Sequence, residues 1–249
     1  MYNSPVIILK LIHTLLFYAL GVVTFIVGTL ITIPFAVAVR EHHKVFHFSA
    51  RIWSKLLMMA SGVRVSVSGI SNVPKDGGLI FASNHQGAFD ILILLAHLPR
   101  HFRFVAKSEL FRIPFLGWYM SLAGYVPIER DVSTSAHRTI GNAVDLLLKG
   151  DCILIFPEGT RSKTGELGPF KRGSLMAAFQ SGATVVPLAI SGSYAMMPKN
   201  TFVINRVPVS IKFGQPMSFN KYQGIKPAKS DYELELSKLR EEIEKSLRL

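Results

Sequence analysis

The spacing of apolar positions changes character near residues 40 and 62, and it divides the chain into three stretches. From Leu11 to Val39 there is no Asp, Glu, Lys or Arg. At about 1.5 Å per residue a helix over this run exceeds the roughly 30 Å of a bilayer's hydrocarbon core. It therefore tilts, or bends near Gly28 or Pro34. A cleaved signal peptide ending near Ala36-Val37-Ala38 competes with an anchoring helix. The run is longer than a signal's apolar segment, however, and only Lys10 precedes it. From Val45 to Ala60 the apolar residues Val45, Phe48, Ile52, Leu56 and Met59 recur at helical spacing on one face. Two readings fit this amphipathic helix: one lying in a membrane interface, or one packing on a soluble core.

Beyond residue 62 short β-branched runs alternate with helical stretches, the pattern of an α/β domain with a mixed central sheet flanked by helices. Strands are expected at Arg64 to Ser68, Leu79 to Ser83, Arg103 to Ala106, Tyr125 to Ile128, Cys152 to Phe156, Thr184 to Ile190 and Val207 to Phe213. Helices are expected at Phe89 to His97, from Glu109 onward, Ser135 to Lys149, Ser174 to Ser181 and Tyr232 to Leu247. In the last, Ser230 and Glu233 have capping-box spacing, and Tyr232, Leu236, Leu239, Ile243 and Leu247 form one stripe. The division expected is a helical membrane anchor over residues 1–62 and an α/β domain over 63–249.

Composition sharpens this. The chain is 49% hydrophobic with mean hydropathy +0.33, too polar for a bundle of membrane spans alone. Its net charge is +12, which favours anionic partners such as a bilayer surface, phosphate-bearing molecules or nucleic acid. No zinc, helix-turn-helix or aromatic-basic signature supports nucleic acid. Arg40, Lys44, Arg51, Lys55 and Arg64 cluster after the apolar run, and by the positive-inside tendency the remainder lies on the cytoplasmic side. The single cysteine, Cys152, excludes an internal disulfide and reads as a buried strand residue. His43 and His47 share a helical face, but no carboxylate or cysteine completes a site, and no metal is expected.

Candidate chemistry sits at two strand ends. In Asn84-His85-Gln86-Gly87-Ala88-Phe89-Asp90 the His and Asp are five residues apart, a spacing that cannot share a face of a regular helix. They must straddle a turn at Gly87, with His85 at the end of a strand and Asp90 in the first turn of a helix. A carboxylate on one imidazole nitrogen leaves the other as a base, and with no protein nucleophile its natural use is to deprotonate a substrate hydroxyl. The bland alternative is a hydrogen-bonded loop histidine beside a helix-capping aspartate. The second run, Phe156-Pro157-Glu158-Gly159-Thr160-Arg161-Ser162, follows an apolar strand and carries the groups of an anion site. A Pro-Glu-Gly turn alone accounts for only part of it.

These residues resemble the 1-acyl-sn-glycerol-3-phosphate acyltransferase family, within the glycerolipid acyltransferase superfamily. Four blocks fall in that family's order between Asn84 and Ile190. The first is Asn84 to Asp90. The second, Gly124-Tyr125-Val126-Pro127-Ile128-Glu129-Arg130, has Glu129 where Asp is usual. The third is Phe156 to Ser162, and the fourth is Val186-Pro187-Leu188-Ala189-Ile190. The resemblance implies transfer of an acyl group from a thioester to the sn-2 hydroxyl of lysophosphatidate, giving phosphatidate. It implies His85 as general base, Asp90 as its orienting partner, and Arg130, Glu158, Gly159, Thr160 and Arg161 as binders of the glycerol phosphate. Lys107 is a further candidate for phosphate or oxyanion, with a plain surface lysine as the other reading. Lys171 and Arg172 either meet the acyl carrier or lipid phosphates, or simply solvate a helix start.

No cofactor is expected beyond the donor substrate, an acyl carrier protein or coenzyme A thioester, and the sequence does not choose between these. The partners implied are membrane lipids and lysophosphatidate, at the cytoplasmic face of the inner membrane. Two alternatives remain open: a different acceptor served by the same machinery (glycerol 3-phosphate, a lyso-phospholipid or a lyso-amino-lipid), or a membrane lipid-binding protein without turnover.

Overall fold

Helix α1 (Ser4–Val37) runs without a break through Gly28 and Pro34, and α2 (His42–Ser61) folds back against it. The computed structural model describes residues 4–128, 133–198, 201–225 and 227–248. Between Val6 and Val37 the first helix is long and apolar enough to cross a membrane, with mean hydropathy 2.3. Thr24, Thr29 and Thr32 return their hydroxyl protons to carbonyls four residues back, so their polar groups are satisfied within the helix. Trp53 donates its indole N–H to the Gly21 carbonyl at 3.1 Å, and the hydroxyls of Thr32 and Ser49 lie 2.7 Å apart, pinning the two helices together.

Of the expected apolar face of α2, Val45 packs against the core and the other four residues point outward. Phe48, Ile52, Leu56 and Met59 are 62%, 45%, 49% and 77% exposed. The opposite face, with Phe46, Ala50, Leu57 and Met58, enters the same core as the sheet residues Leu79, Phe81 and Leu154. A helix that buries one side in protein and offers apolar side chains on the other is the arrangement of the interfacial reading. Packing therefore crosses the expected boundary at residue 62.

All seven expected strands form: β1 (Val65–Ser68), β2 (Leu79–Ser83), β3 (Phe102–Lys107), β4 (Val126–Ile128), β5 (Cys152–Ile155), β6 (Thr184–Ser191) and β7 (Val209–Phe213). They make one sheet in the order β1-β7-β6-β2-β5-β3-β4, parallel except for β6 against β7. Strand β2 is buried at every position because helices cover both faces of the sheet, which is why it reads as a continuous apolar run. Cys152 is fully buried in β5, as expected.

The covering helices are α3 (Asp90–His97), α4 (Leu116–Leu122), α5 (Ser133–Leu148), α6 (Met176–Ser181), α7 (Ser193–Met196) and α8 (Lys229–Leu247). Three differ from expectation. The stretch from Glu109 is a 3-10 turn over Ser108–Arg112, and Pro114 separates it from α4. The short α7 had no periodic signal to announce it. Helix α8 starts before Ser230: Asp231 accepts a hydrogen bond from the backbone N–H of Ala228 at 2.9 Å, so alanine holds the cap position and only half of a reciprocal capping box exists. Leu239 and Ile243 of its stripe are fully buried.

At the outer end of α2, His47 is buried with its ring centroid 4.4 Å from that of His101. Burial, reinforced by the neighbouring His101, Arg51 and Arg103, pushes the His47 pKa from 6.5 to about 3, and burial beside Arg103 pushes His101 to about 4. The folded values lie below the unfolded one, so the unfolded chain binds more protons as pH drops, and stability falls as pH goes from 6.5 towards these values. Melting of the detergent-solubilised protein should thus fall in temperature between about pH 7 and pH 5. His47→Phe should show a smaller fall, and an equal fall would exclude this pair as the cause.

Candidate active site

The central parallel strands β2, β5 and β6 end side by side, and the residues just beyond them form the site, as open α/β sheets place ligands outside their carboxyl ends. Asn84 locks two of those ends together. Its amide donates to the Ile190 carbonyl at 2.9 Å and accepts from the Ile190 N–H at 2.7 Å, fully inside the protein. The backbone of His85 is then held from the β5 side: its N–H donates to Glu158 Oε1 at 2.8 Å and its carbonyl accepts from the Ser162 N–H at 2.7 Å. The imidazole lies flat on the Phe156 ring, with centroids 3.9 Å apart and planes 15° apart.

Asp90 is the first residue of α3 and is completely buried. Its Oδ2 lies 2.8 Å from His85 Nδ1 and accepts from the backbone N–H groups of Gln86 at 2.7 Å and Gly87 at 2.9 Å. A carboxylate can only accept, so Nδ1 carries the proton and Nε2 keeps its lone pair. The turn expected between strand and helix is present. Gly87 is required there for closeness rather than backbone freedom: it is not among the positive-φ glycines, but a Cβ would sit 2.8 Å from the Ser193 carbonyl oxygen.

Glu158, expected among the binders of the glycerol phosphate, is built into the turn beside His85. Only 5% of it is exposed, and both oxygens are taken by backbone amides, His85 N–H on Oε1 and Gly168 N–H at 2.7 Å on Oε2. Burial raises its pKa against the pull of those two amides. A carboxylate so occupied would repel a phosphate and is better described as a brace for His85. Gly159, expected at the same site, donates its N–H to the Phe156 carbonyl at 2.9 Å. Its φ of +69° calls for glycine, and a Cβ would meet Lys171 Cε at 2.8 Å.

A cavity of about 380 Å³ opens at His85. Lys107 and Lys171 line it together with the apolar Ile140, Ala143 and Ile153, and none of its described lining residues is acidic. Lys107 also pairs with Glu109 at 2.6 Å. Thr160 and Arg161 are exposed on the loop just beyond Gly159. Arg130, with Glu129, lies outside the described residues. The structure therefore gathers His85, Asp90, Glu158, Gly159 and Lys107 closely, with Thr160 and Arg161 following on the same loop. Sequence reasoning left two readings for Lys171 and did not single out Asn84, although Asn84 adjoins the histidine and Lys171 lies in a marked Pro-Phe-Lys-Arg-Gly run.

A family model described as Acyltransferase matches residues 64–191, the stretch that holds all of these positions. The chain belongs to the acyltransferase family. Curated relatives agree. It is 34% identical over 191 residues to a chloroplastic 1-acyl-sn-glycerol-3-phosphate acyltransferase of Arabidopsis thaliana, a match covering 76% of this chain and 53% of that protein. It is 32% identical over 181 residues to a 1-acyl-sn-glycerol-3-phosphate acyltransferase of Saccharomyces cerevisiae, covering 72% of this chain and 59% of that one. The chain thus spans little more than half the length of such relatives. Among solved structures, the 1-acyl-sn-glycerophosphate acyltransferase PlsC of Thermotoga maritima superposes with TM-score 0.80 at 28% identity, over 96% of both chains.

In this acyltransferase-family chain the turn bearing His85 depends on Glu158. Glu158→Ala would leave the His85 and Gly168 amides without their acceptor, a loss of about 1–3 kcal/mol for each buried group left unpaired. Thermal or denaturant unfolding checks this; a stability within about 0.5 kcal/mol of wild type, the range of ordinary surface substitutions, would show that Glu158 is no brace.

Proposed function

We propose that the chain transfers a fatty acyl group from a thioester to the sn-2 hydroxyl of 1-acyl-glycerol-3-phosphate, producing phosphatidate for phospholipid synthesis. The observation that carries this reading is the His85–Asp90 pair at 2.8 Å, with His85 at the mouth of a cavity that joins lysines to an apolar wall. His85 Nε2 takes the proton of the substrate hydroxyl, whose oxygen attacks the thioester carbonyl. The C–O bond forms, the C–S bond breaks, and the imidazolium returns its proton to the leaving thiolate. Asp90 fixes the tautomer and steadies the transient imidazolium. The oxyanion and the phosphomonoester are anionic, which suits Lys107, Lys171, Thr160 and Arg161, with Arg130 added on the family resemblance. The apolar wall suits the acyl chain.

Residues 1–62 serve in this reading as the membrane-anchoring segment and residues 63–249 as the catalytic one, working at the cytoplasmic face of the membrane. The long apolar α1 and the outward apolar face of α2 support membrane attachment. The basic cluster after the apolar run supports the cytoplasmic side. The acyl donor is carried by acyl carrier protein or coenzyme A, and the residues given roles here are side chains acting without a cofactor.

Purified protein given lysophosphatidate with each donor in turn should release phosphatidate, identified by mass. His85→Ala should lower kcat by roughly 10²–10⁴-fold while the protein stays folded. Equal turnover by both proteins would remove His85 as the base, and product only from a different acceptor would replace lysophosphatidate.

A further inference from the structure

Between β3 and β4 the chain makes a detour whose outer face the proposed reaction does not use. After the 3-10 turn Ser108–Arg112, Leu116 donates its N–H to the Pro114 carbonyl at 2.7 Å, closing a γ-turn whose central residue is Phe115 at φ 62° and ψ −52°. Phe115 is the only described non-glycine residue at positive φ. Turns of this hand are rare and strained for a residue with a side chain. The strain secures no internal packing, because Phe115 is 66% exposed. It sets the Phe115 ring edge-on to Trp118, centroids 5.3 Å apart, and Trp118 is 64% exposed. Leu122, one helical turn on from Trp118, is 41% exposed and continues the same face.

The opposite face of α4 shows where this stripe sits. Tyr119 packs between the two N-terminal helices, its ring centroid 5.1 Å from that of Phe25 in α1 and 5.3 Å from that of Phe46 in α2, and its hydroxyl donates to the Phe46 carbonyl. Helix α4 is therefore seated on the two helices whose own outer faces are apolar and exposed. Arg112, four residues before α4, is exposed, as is Lys107 at the end of β3, which pairs with Glu109. An aromatic pair held outward beside cations matches the edge of a bilayer, where Trp favours the headgroup level and lysine and arginine meet anionic lipid.

We infer that Phe115, Trp118 and Leu122 form a second bilayer-contact site, formed by the catalytic segment itself, in which the aromatic pair enters the interfacial layer of an anionic membrane. Leu110, in the same detour, lines the cavity at His85, so this contact brings the cavity's wall to the lipid surface. The occupant is lipid rather than protein because the stripe is borne by a helix packed directly on the apolar α1 and α2, and the detour that carries it presents exposed cations.

The test reconstitutes the full chain into vesicles of phosphatidylethanolamine and phosphatidylglycerol. Fluorescence quenching by lipids brominated high on the acyl chain is compared in wild type and in Trp118→Phe, whose difference isolates Trp118 from Trp53. The expected result is strong quenching of the Trp118 signal by bromolipid, with iodide in the water having little effect. Loss of bromolipid quenching overturns the site: quenching by iodide would leave the ring in water, and protection from both agents would mean a protein covers it. Co-flotation of the chain with the vesicles is recorded in each case, so failure of the N-terminal anchor is seen separately. Phe115→Gly, which relieves the turn and removes one ring, should weaken bromolipid quenching of Trp118. Unchanged quenching in that variant would show that the strained turn does not place the indole.

Discussion

The convergence of three N–H groups on one carboxylate oxygen of Asp90 is the constraint on which the site depends. It sets the imidazole tautomer, ties the loop after β2 to the first turn of α3, and does both inside the protein, where Oδ2 takes all three bonds and the buried Oδ1 has no partner among the described residues. Glu158 repeats the device from the neighbouring strand end with two amides. The histidine thus hangs between two buried acids, one acting on its ring and one on its backbone. Asn84 completes the frame by fixing the β2 end to β6. Rigid placement of this kind is what the base of the proposed reaction needs, since that reaction rests on positioning rather than on a covalent intermediate.

That frame is continuous with the N-terminal helices. Phe17 of α1 is buried with its ring centroid 5.5 Å from that of Phe89, the residue immediately before Asp90. Tyr18 donates to the Phe202 carbonyl at 3.0 Å, and Thr14 accepts from the Ile204 N–H at 3.2 Å, so α1 also grips the segment before β7. Helix α1 is a part of the core on one side and an apolar surface on the other.

Most of the scaffold was legible in the sequence, because strands buried on both faces must be apolar throughout and the covering helices must be periodic. All seven strands were placed within two residues at either end. What escaped was set by tertiary contact. No local pattern marks a four-residue helix such as Ser193–Met196, and none shows that Gly87 is needed to clear the Ser193 carbonyl. The His85–Asp90 geometry could be anticipated, since its spacing forces a turn. The backbone contacts of Glu158 could not, because nothing in the local sequence brings the amides of residues 85 and 168 beside it. The outward stripe on α2 was readable as amphipathic, but only packing tells which side of an amphipathic helix meets protein.

The contact between Phe17 and Phe89 has one more implication. In the proposed function, an imidazole a few side chains from the apolar helix α1 lets a lipid acceptor and its lipid product enter and leave sideways, within one leaflet. For such a catalyst the quantity that governs saturation is the number of acceptor molecules per unit of membrane area. Dilution by other lipids in the plane then slows turnover, whereas dilution of the vesicles in water does not.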